Sequence, residues 1–272
     1  MAVYKSPKLE TMRKVSIIGA GNVGSTLAML ISLNELANVV MVDVVQDMPR
    51  GKAIDMMQML ATFNSDIKVV GSNSYEEIQG SDIVVITAGI ARKPGMSRED
   101  LLNTNANIMK DVVNNISKYS SGSIVIVVSN PLDIMTYLAY KILKNYGWNR
   151  NRVMGMAGIL DTARFKYFIS QKLNVSVDNI DSLVLGSHGD TMVPILSHTT
   201  ISGIPLKNFV TKEELEELVY KTRNGGAEIV SLLKTGSAYY APASSTYLMV
   251  KAILYDKKQI LPISFYCEGE YG

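Results

Sequence analysis

The sequence contains a single cysteine, Cys267, among its 272 residues. One thiol cannot form an internal disulfide, so a disulfide-stapled secreted scaffold is excluded. A reducing compartment, the cytoplasm, is therefore expected for the chain. The ordinary role for Cys267 itself is that of a small apolar packing side chain.

An excess of charge of either sign is also missing, because 27 Lys and Arg residues face 25 Asp and Glu residues. The net charge of +2 gives no electrostatic reason to expect nucleic acid or an anionic membrane as a partner. No apolar run is long enough to predict a membrane span. Residues 1–12 lack the apolar core of a secretory signal, so we expect a simple tail there.

The first half of the chain alternates short β-branched runs with helical patterns. The runs are apolar on both faces, which is typical of a parallel sheet covered by helices on both sides. The predicted strands are residues 14–19, 39–43, 68–71, 83–88 and 124–129. The predicted helices are residues 22–33, 50–61, 97–119 and 133–144. This order predicts an α/β, Rossmann-type doubly wound sheet.

After about Trp148 the pattern changes to helices mixed with short antiparallel strands and hairpins. The helices predicted here are residues 161–173, 211–233 and 242–254, and the strands are residues 182–185, 193–199 and 260–266. The length suits about two domains at roughly 150 residues each. We therefore expect a Rossmann domain over residues 13–150 and an α+β domain over residues 151–272.

Residues 19–24 read Gly-Ala-Gly-Asn-Val-Gly between a predicted strand and a predicted helix. In that context the glycine spacing indicates a dinucleotide-binding loop, with Gly19 for the tight turn, Gly21 for close approach of a pyrophosphate and Gly24 for helix packing. Asp43 ends the second strand, where a carboxylate binds ribose hydroxyls and repels a 2′-phosphate. The pattern favours NAD over NADP. The alternative is a glycine turn beside a surface aspartate.

The chain has two histidines, and His188 is the stronger candidate for a general acid and base. It lies between two glycines on a predicted turn, whereas His198 lies in an apolar hairpin stretch. Asp161 and Arg164 share a face of a predicted helix, where the acid can orient an imidazole and the guanidinium can clamp a carboxylate. The alternatives are a turn histidine and a surface ion pair.

Residues 89–98 follow a predicted strand and combine three cations with Pro-Gly. Active-site loops occupy that end of open α/β sheets, so we interpret this segment as a basic lid. Asn130 follows another strand, and its amide can hold a substrate oxygen. A solvated basic loop and a turn-forming Asn-Pro are the respective alternatives.

Together these segments resemble the lactate/malate dehydrogenase family, specifically its lactate-dehydrogenase-like malate dehydrogenases. The resemblance runs from about Arg13 to Gly272. It rests on GAGNVG, MVDV, ITAG, ARKPGMSRED, VVSNPLD, GILDTARF, GSHGDTMVP and LLKTGSAYYAPA, in that order. Family members usually continue past Gly272, so we expect a chain that is short at its C-terminus.

The resemblance implies reversible, NAD-dependent oxidation of (S)-malate to oxaloacetate, with no metal. It assigns His188 as the acid and base, Asp161 as its orienting carboxylate and Arg164 as the holder of the C1 carboxylate. It makes Arg98 the group that polarises the carbonyl and Arg92 the ligand of a second carboxylate, where lactate enzymes usually carry Gln.

The remaining implied contacts line the coenzyme and the pocket. Asn130 would contact substrate, and Ser237 would line the pocket. The implied coenzyme-binding residues are Gly19, Ala20, Gly21, Asn22, Val23, Gly24, Asp43, Asn105, Val128, Ser129 and Asn130. The resemblance also implies a tricarboxylic acid cycle enzyme that forms a homotetramer or homodimer. The alternatives are a lactate or other 2-hydroxy-acid dehydrogenase, and an NAD-binding protein with little turnover.

Overall fold

Strands and helices alternate through the first part of the computed structural model, which describes residues 12–90 and 97–271. The strands are β1 (Lys14–Ile18), β2 (Asn38–Val42), β3 (Val69–Ser72), β4 (Ile83–Ile86), β5 (Ile124–Val127) and β6 (Val153–Met156). The helices are α1 (Asn22–Leu33), α2 (Met48–Thr62), α3 (Arg98–Tyr119) and α4 (Leu132–Leu143). The predicted alternation is confirmed.

The later part of the chain consists of three helices and six short strands. The helices are α5 (Gly158–Leu173), α6 (Lys212–Leu233) and α7 (Tyr240–Leu254). The strands are β7 (Ile180–Asp181), β8 (Val184–Leu185), β9 (Val193–Pro194), β10 (Thr200–Ile201), β11 (Ile204–Pro205) and β12 (Ile263–Phe265). None of the helices in the described part of the chain is both long and apolar enough to cross a membrane.

One seven-stranded sheet runs in the order β12-β6-β5-β4-β1-β2-β3. All its neighbours pair in parallel except β12, which is antiparallel to β6. The chain moves outward from β1 to β3 and then crosses back to β4, so the order reverses between β1 and β4. Ligand crevices of doubly wound sheets open at such a reversal, beyond the carboxyl ends of the strands.

Side chains of the strands are buried on both faces of this sheet. In β1, Ile17 packs into a cluster with α1 and α7, and its neighbour Ile18 packs into a second cluster with α3 and α4. Successive side chains of a strand point to opposite faces, so a strand covered on both sides is mostly apolar along its whole length. The two clusters confirm the predicted α/β architecture.

A third cluster lies outside the large sheet, between α5, α6 and the short strands around them. Phe165 and Ile169 of α5 are fully buried there, against Leu218 of α6 and Met192. Both β6 and β12 lie in the large sheet although their residues follow position 150. The domain boundary at residue 150 stays a prediction.

The predicted strand over residues 193–199 is wrong in its second half. Only Val193–Pro194 is strand, and Leu196–His198 forms a 3-10 turn. Pro194 has no N–H to extend a ladder, which favours an early end to the strand. His198 is exposed on this turn and its Nδ1 lies 2.9 Å from the Ser197 hydroxyl.

Candidate active site

The glycine-rich loop, residues 19–24, connects β1 to α1 at the reversal of the sheet. Gly19 has φ of +106°, and a Cβ on it would lie 2.7 Å from the Ala88 nitrogen. A Cβ on Gly24 would lie 1.9 Å from the Gly19 carbonyl oxygen. Both positions therefore exclude any side chain, because the loop and the first turn of α1 pack against each other and against the segment after β4.

Gly21 differs from the other two glycines, because a Cβ on it would meet nothing within 4 Å. It is the N-cap of α1, and no side chain caps the helix there. The N–H groups of the first turn, beginning with Asn22 and Val23, have no partner within the helix and carry the positive end of the helix dipole. This arrangement fits the pyrophosphate of a dinucleotide.

Asp43 comes directly after β2 and is tied to the glycine-rich loop. Its Oδ2 accepts a 2.7 Å hydrogen bond from the Ala20 N–H, and its Oδ1 accepts a 3.0 Å bond from the Val45 N–H. The carboxylate is therefore held at the carboxyl end of β2. The structure brings Asp43 to the loop, as its spacing predicted, and its contact with ribose stays a prediction.

Asn105 and Ser129 join the segments that follow β4 and β5. The Asn105 side-chain amide donates to the Asn130 carbonyl at 2.7 Å and to the Ile90 carbonyl at 3.1 Å, and Asn105 is 2% exposed. The Ser129 hydroxyl donates to the Ala88 carbonyl at 2.5 Å. These hydrogen bonds hold the segments after β4 and β5 together. Asn105 is buried, so it supports these segments from inside the protein.

His188 and Asp161 form a hydrogen-bonded pair. His188 lies on the turn between β8 and β9, and its Nδ1 is 2.9 Å from Oδ2 of Asp161 in the first turn of α5. The Asp161 side chain is 2% exposed and that of His188 is 17% exposed. With Nδ1 engaged by the carboxylate, Nε2 is the ring nitrogen that remains for proton transfer to a ligand.

Arg164 lies one helical turn after Asp161. Its nearest guanidinium nitrogen is 3.6 Å from Asp161 Oδ1, too far for a hydrogen bond. Burial lowers the pKa of Arg164, and the charge of Asp161 opposes that shift. Among the described residues, Arg164 Nε and Asp161 Oδ1 are buried polar atoms without a hydrogen-bond partner. A guanidinium held in this way fits the carboxylate of an incoming ligand.

A cavity of about 260 Å³ joins these groups. Arg164, His188 and Ser237 line one side of it, and Val128 and Asn130 line another. Val23 of the glycine-rich loop and Gly226 of α6 complete its wall. The cavity therefore connects the predicted substrate residues with the predicted coenzyme loop, while Asp43 lies at the far end of that loop.

Sequence reasoning missed Asp133, which anchors the turn that carries His188. Its Oδ2 accepts a 2.9 Å hydrogen bond from the His188 backbone N–H, and its Oδ1 accepts a 2.7 Å bond from the Ser264 hydroxyl. Asp133 lies in the first turn of α4, three residues after Asn130. Its position beside Asn130 was the available signal, but both partners are distant in sequence.

Two of the predicted site residues lie outside the description. Arg92 falls in residues 91–96, outside the described residues, and so does most of the predicted lid. The backbone of Arg98 begins α3, and its side chain lies outside the description. Within residues 12–90 and 97–271 there is no group of three or more His, Cys, Asp or Glu side chains arranged to hold a metal ion.

Two family models together match most of the chain. The lactate/malate dehydrogenase NAD binding domain matches residues 13–155. The lactate/malate dehydrogenase alpha/beta C-terminal domain matches residues 159–272. The segments that carry the glycine-rich loop and Asp43 lie in the first match, and Asp161, Arg164 and His188 lie in the second.

Solved structures with high similarity include both malate and lactate dehydrogenases. The malate dehydrogenase of Salinibacter ruber is 46% identical, with a TM-score of 0.89 over 95% of this chain and 82% of that one. The malate dehydrogenase of Cryptosporidium parvum is 44% identical, with a TM-score of 0.91 over 96% and 84%. The lactate dehydrogenase of Eimeria maxima, solved with NADH and oxamate, is 40% identical, with a TM-score of 0.91 over 99% and 82%.

The fold, the glycine-rich loop at the sheet reversal and the two family matches agree with one another. The chain belongs to the lactate/malate dehydrogenase family of oxidoreductases and carries that family's NAD binding domain.

Proposed function

We propose that the protein is an NAD-dependent malate dehydrogenase that interconverts (S)-malate and oxaloacetate. The observation that carries the proposal is the His188–Asp161 pair, 2.9 Å apart, beside the incompletely paired guanidinium of Arg164. An imidazole that can exchange a proton and a cation that can hold a carboxylate are two of the groups used in the oxidation of a 2-hydroxy acid by a hydride-accepting coenzyme.

In this proposal His188 moves the proton. During malate oxidation, Nε2 takes the proton of the C2 hydroxyl, and during oxaloacetate reduction the protonated ring returns it. Asp161 fixes the ring through Nδ1 and stabilises the imidazolium form, because an adjacent carboxylate favours the charged imidazole. Asp133 holds the backbone of the same turn and so helps to fix the position of the imidazole ring.

The arginines bind and polarise the substrate. Arg164 holds the C1 carboxylate with two parallel hydrogen bonds, which can also give its buried Nε a partner. Arg98 stabilises the negative charge that develops on the reacting oxygen. Arg92 binds the second carboxylate and so selects a dicarboxylate. Asn130, on the wall of the cavity, hydrogen-bonds a substrate oxygen.

The coenzyme would be held by the glycine-rich loop, with its pyrophosphate at the open space before α1 and its ribose hydroxyls at Asp43. Val128 and Ser129 would lie along it, and Asn105 would support that wall. The coenzyme supplies the hydride chemistry when it is bound. The protein supplies the orientation, the proton and the field.

A substrate panel tests this proposal. With NADH and the purified chain, we expect oxaloacetate to be reduced with a kcat/KM at least about 100-fold above that for pyruvate, because an unpaired buried cation disfavours the monocarboxylate. A clear preference for pyruvate would instead assign the chain to the lactate dehydrogenases, which its similarity to the Eimeria maxima enzyme keeps as the second candidate. Binding of NADH without oxidation by either acid would indicate an NAD-binding protein.

Arg92→Gln sharpens the test. The substitution removes the proposed cation for the second carboxylate, so we expect the preference to shift from oxaloacetate toward pyruvate. Arg50→Gln, on the exposed face of α2, is the matched control and should leave the ratio unchanged. If Arg92→Gln leaves the ratio of kcat/KM for oxaloacetate to kcat/KM for pyruvate at its original value, the proposed role of Arg92 is wrong.

We further propose that the enzyme works in the cytoplasm, in the tricarboxylic acid cycle, as a homotetramer or homodimer. Light scattering of the purified chain measures the assembly directly. A monomer at every concentration would contradict the proposed oligomer.

A further inference from the structure

Lys52 of α2 reaches the glycine-rich loop from a distance of 32 residues in the sequence. Its Nζ donates a 2.6 Å hydrogen bond to the Ala20 carbonyl and lies 3.5 Å from the Ser25 hydroxyl. Ser25 in turn donates to the Gly21 carbonyl at 2.7 Å. Lys52 is half-buried, and its hydrogen bond to the Ala20 carbonyl directs its ammonium group at the loop.

The Ala20 backbone is held from two sides by side chains of opposite charge. Its N–H donates to Asp43 at 2.7 Å, and its carbonyl accepts from Lys52 at 2.6 Å. Ala20 itself is fully buried. Hydrogen bonds with a charged partner are shorter and stronger than neutral ones, so this part of the loop is held firmly before any ligand binds.

The held peptide is the one that leads into the open space before α1. A peptide group is planar, so fixing the Ala20 carbonyl also fixes the direction of the next N–H, that of Gly21. Gly21 is the residue at which a dinucleotide can approach the backbone. Lys52 therefore sets the geometry of the loop at the point of closest approach.

The positive charge of Lys52 also favours binding of a pyrophosphate. Charges interact over a screening length of about 8 Å at physiological salt, and Lys52 is hydrogen-bonded to the residue before Gly21, the N-cap of α1. The half-buried ammonium adds to the positive end of the helix dipole, while Asp43 places its negative charge on the opposite side of Ala20.

We propose that Lys52 is a positioning residue for the coenzyme, which pins the Ala20–Gly21 peptide and adds positive charge where the pyrophosphate binds. The inference rests on the proposed use of NAD. It assigns a coenzyme role to α2, a helix that contributes no residue to the glycine-rich loop and none to the substrate cavity.

Equilibrium binding tests the inference without a 2-oxo acid. Lys52→Met removes the ammonium and keeps the aliphatic stem, and we expect it to weaken binding of NADH and of ADP-ribose about tenfold. Binding of adenosine, which has no phosphate, should not change. Lys52→Arg, which keeps the charge and a donor, should bind both phosphate ligands within about threefold of the original chain.

Two controls separate positioning from stability. Arg50→Met removes a cation from the opposite, exposed face of the same helix and should leave all three affinities unchanged. The kcat of Lys52→Met at saturating NADH should stay within about twofold of the original value, so that the loss lies in binding. If Lys52→Met does not melt cooperatively, Lys52→Gln replaces it; this substitution also removes the positive charge, so NADH and ADP-ribose should again bind more weakly while adenosine binding stays the same.

Equal NADH affinities for Lys52→Met and the original chain would overturn the inference, and so would an equal loss of adenosine binding. Failure of the original chain to reduce oxaloacetate would overturn the malate proposal alone, because the binding measurements use no substrate acid.

Discussion

The glycine-rich loop and the substrate cavity lie at the same end of the sheet. They differ in how completely their polar groups are hydrogen-bonded within the protein. In the loop, the polar groups of Ala20 are already bonded to Asp43 and Lys52. In the cavity, buried atoms of Arg164 and Asp161 have no hydrogen-bond partner among the described residues. The backbone groups of Ala20 are paired within the protein, whereas in the proposed function a substrate carboxylate pairs with Arg164.

The difference follows from what each ligand brings. A loop that binds phosphate through backbone N–H groups binds more tightly when those groups are already in position. Hydrogen bonds within the protein that fix the loop therefore favour phosphate binding. A buried guanidinium whose hydrogen bonds are all satisfied by the protein would have none left for a substrate carboxylate. An unsatisfied buried polar group costs about 1–3 kcal/mol, and binding of the substrate removes that cost.

The largest effect should come from the proton-transfer group of the cavity. We expect His188→Asn to lower kcat about 1,000-fold, because no other group replaces the imidazole in proton transfer. The affinity for NADH, measured by fluorescence, should change little, because the loop does not depend on the ring. His198→Asn, on the exposed 3-10 turn, is the matched control and should keep full activity. A kcat within tenfold of the original would exclude His188 as the acid and base.

Arg164→Lys tests whether the cavity depends on its ligand for completion. Lysine keeps the charge but loses the planar pair of donors, so we expect KM for oxaloacetate to rise about 100-fold. The affinity for NADH should stay the same. Steady-state kinetics at saturating NADH measures the change, with Arg50→Lys as the control. A rise in the NADH dissociation constant of similar size would show that the two regions are not independent.

A pair of glycine substitutions sharpens the account of the loop. Gly24→Ala places a Cβ 1.9 Å from the Gly19 carbonyl, so we expect the free energy of unfolding to fall by about 3 kcal/mol. Gly21→Ala meets no protein atom within 4 Å and should leave stability unchanged while weakening NADH binding about tenfold. Denaturant unfolding and NADH titration separate the two outcomes. If the two substitutions lower the free energy of unfolding equally, the predicted difference between Gly24 and Gly21 is wrong.

The smallest effect is expected at the end of the loop. Asp43→Ser removes the carboxylate that would repel a 2′-phosphate, so the ratio of NADH to NADPH affinity should fall about tenfold. Asp55→Ser, exposed on α2, is the control. If the coenzyme preference of Asp43→Ser equals that of the original chain, the assigned role of Asp43 is wrong.

The coenzyme side could be predicted from sequence because its signals are local. The glycine spacing, the strand before it and Asp43 all lie within 30 residues, and the structure places them together. Strands buried on both faces leave continuous apolar runs, so the sheet was also predictable. The position of Lys52 could not be predicted, because a lysine within an amphipathic helix looks like any solvated cation.

The substrate side was less predictable, because its contacts join distant segments. Asp161 and His188 are 27 residues apart, and no spacing rule relates a helix turn to a hairpin tip. Asp133 was missed because one of its partners is a backbone N–H 55 residues away. Strands of two residues, such as β8 and β9, carry no measurable alternation, so the end of β9 at Pro194 could not be recognised within the predicted strand over residues 193–199.

The pairing of β12 with β6 affects how the enzyme is made. Asp133 holds the turn of His188 and is itself held by Ser264, which enters the sheet only when β12 joins its edge. During synthesis the glycine-rich loop leaves the ribosome more than 200 residues before Ser264. The anchor of the His188 turn can therefore form only after residue 264 has been synthesised.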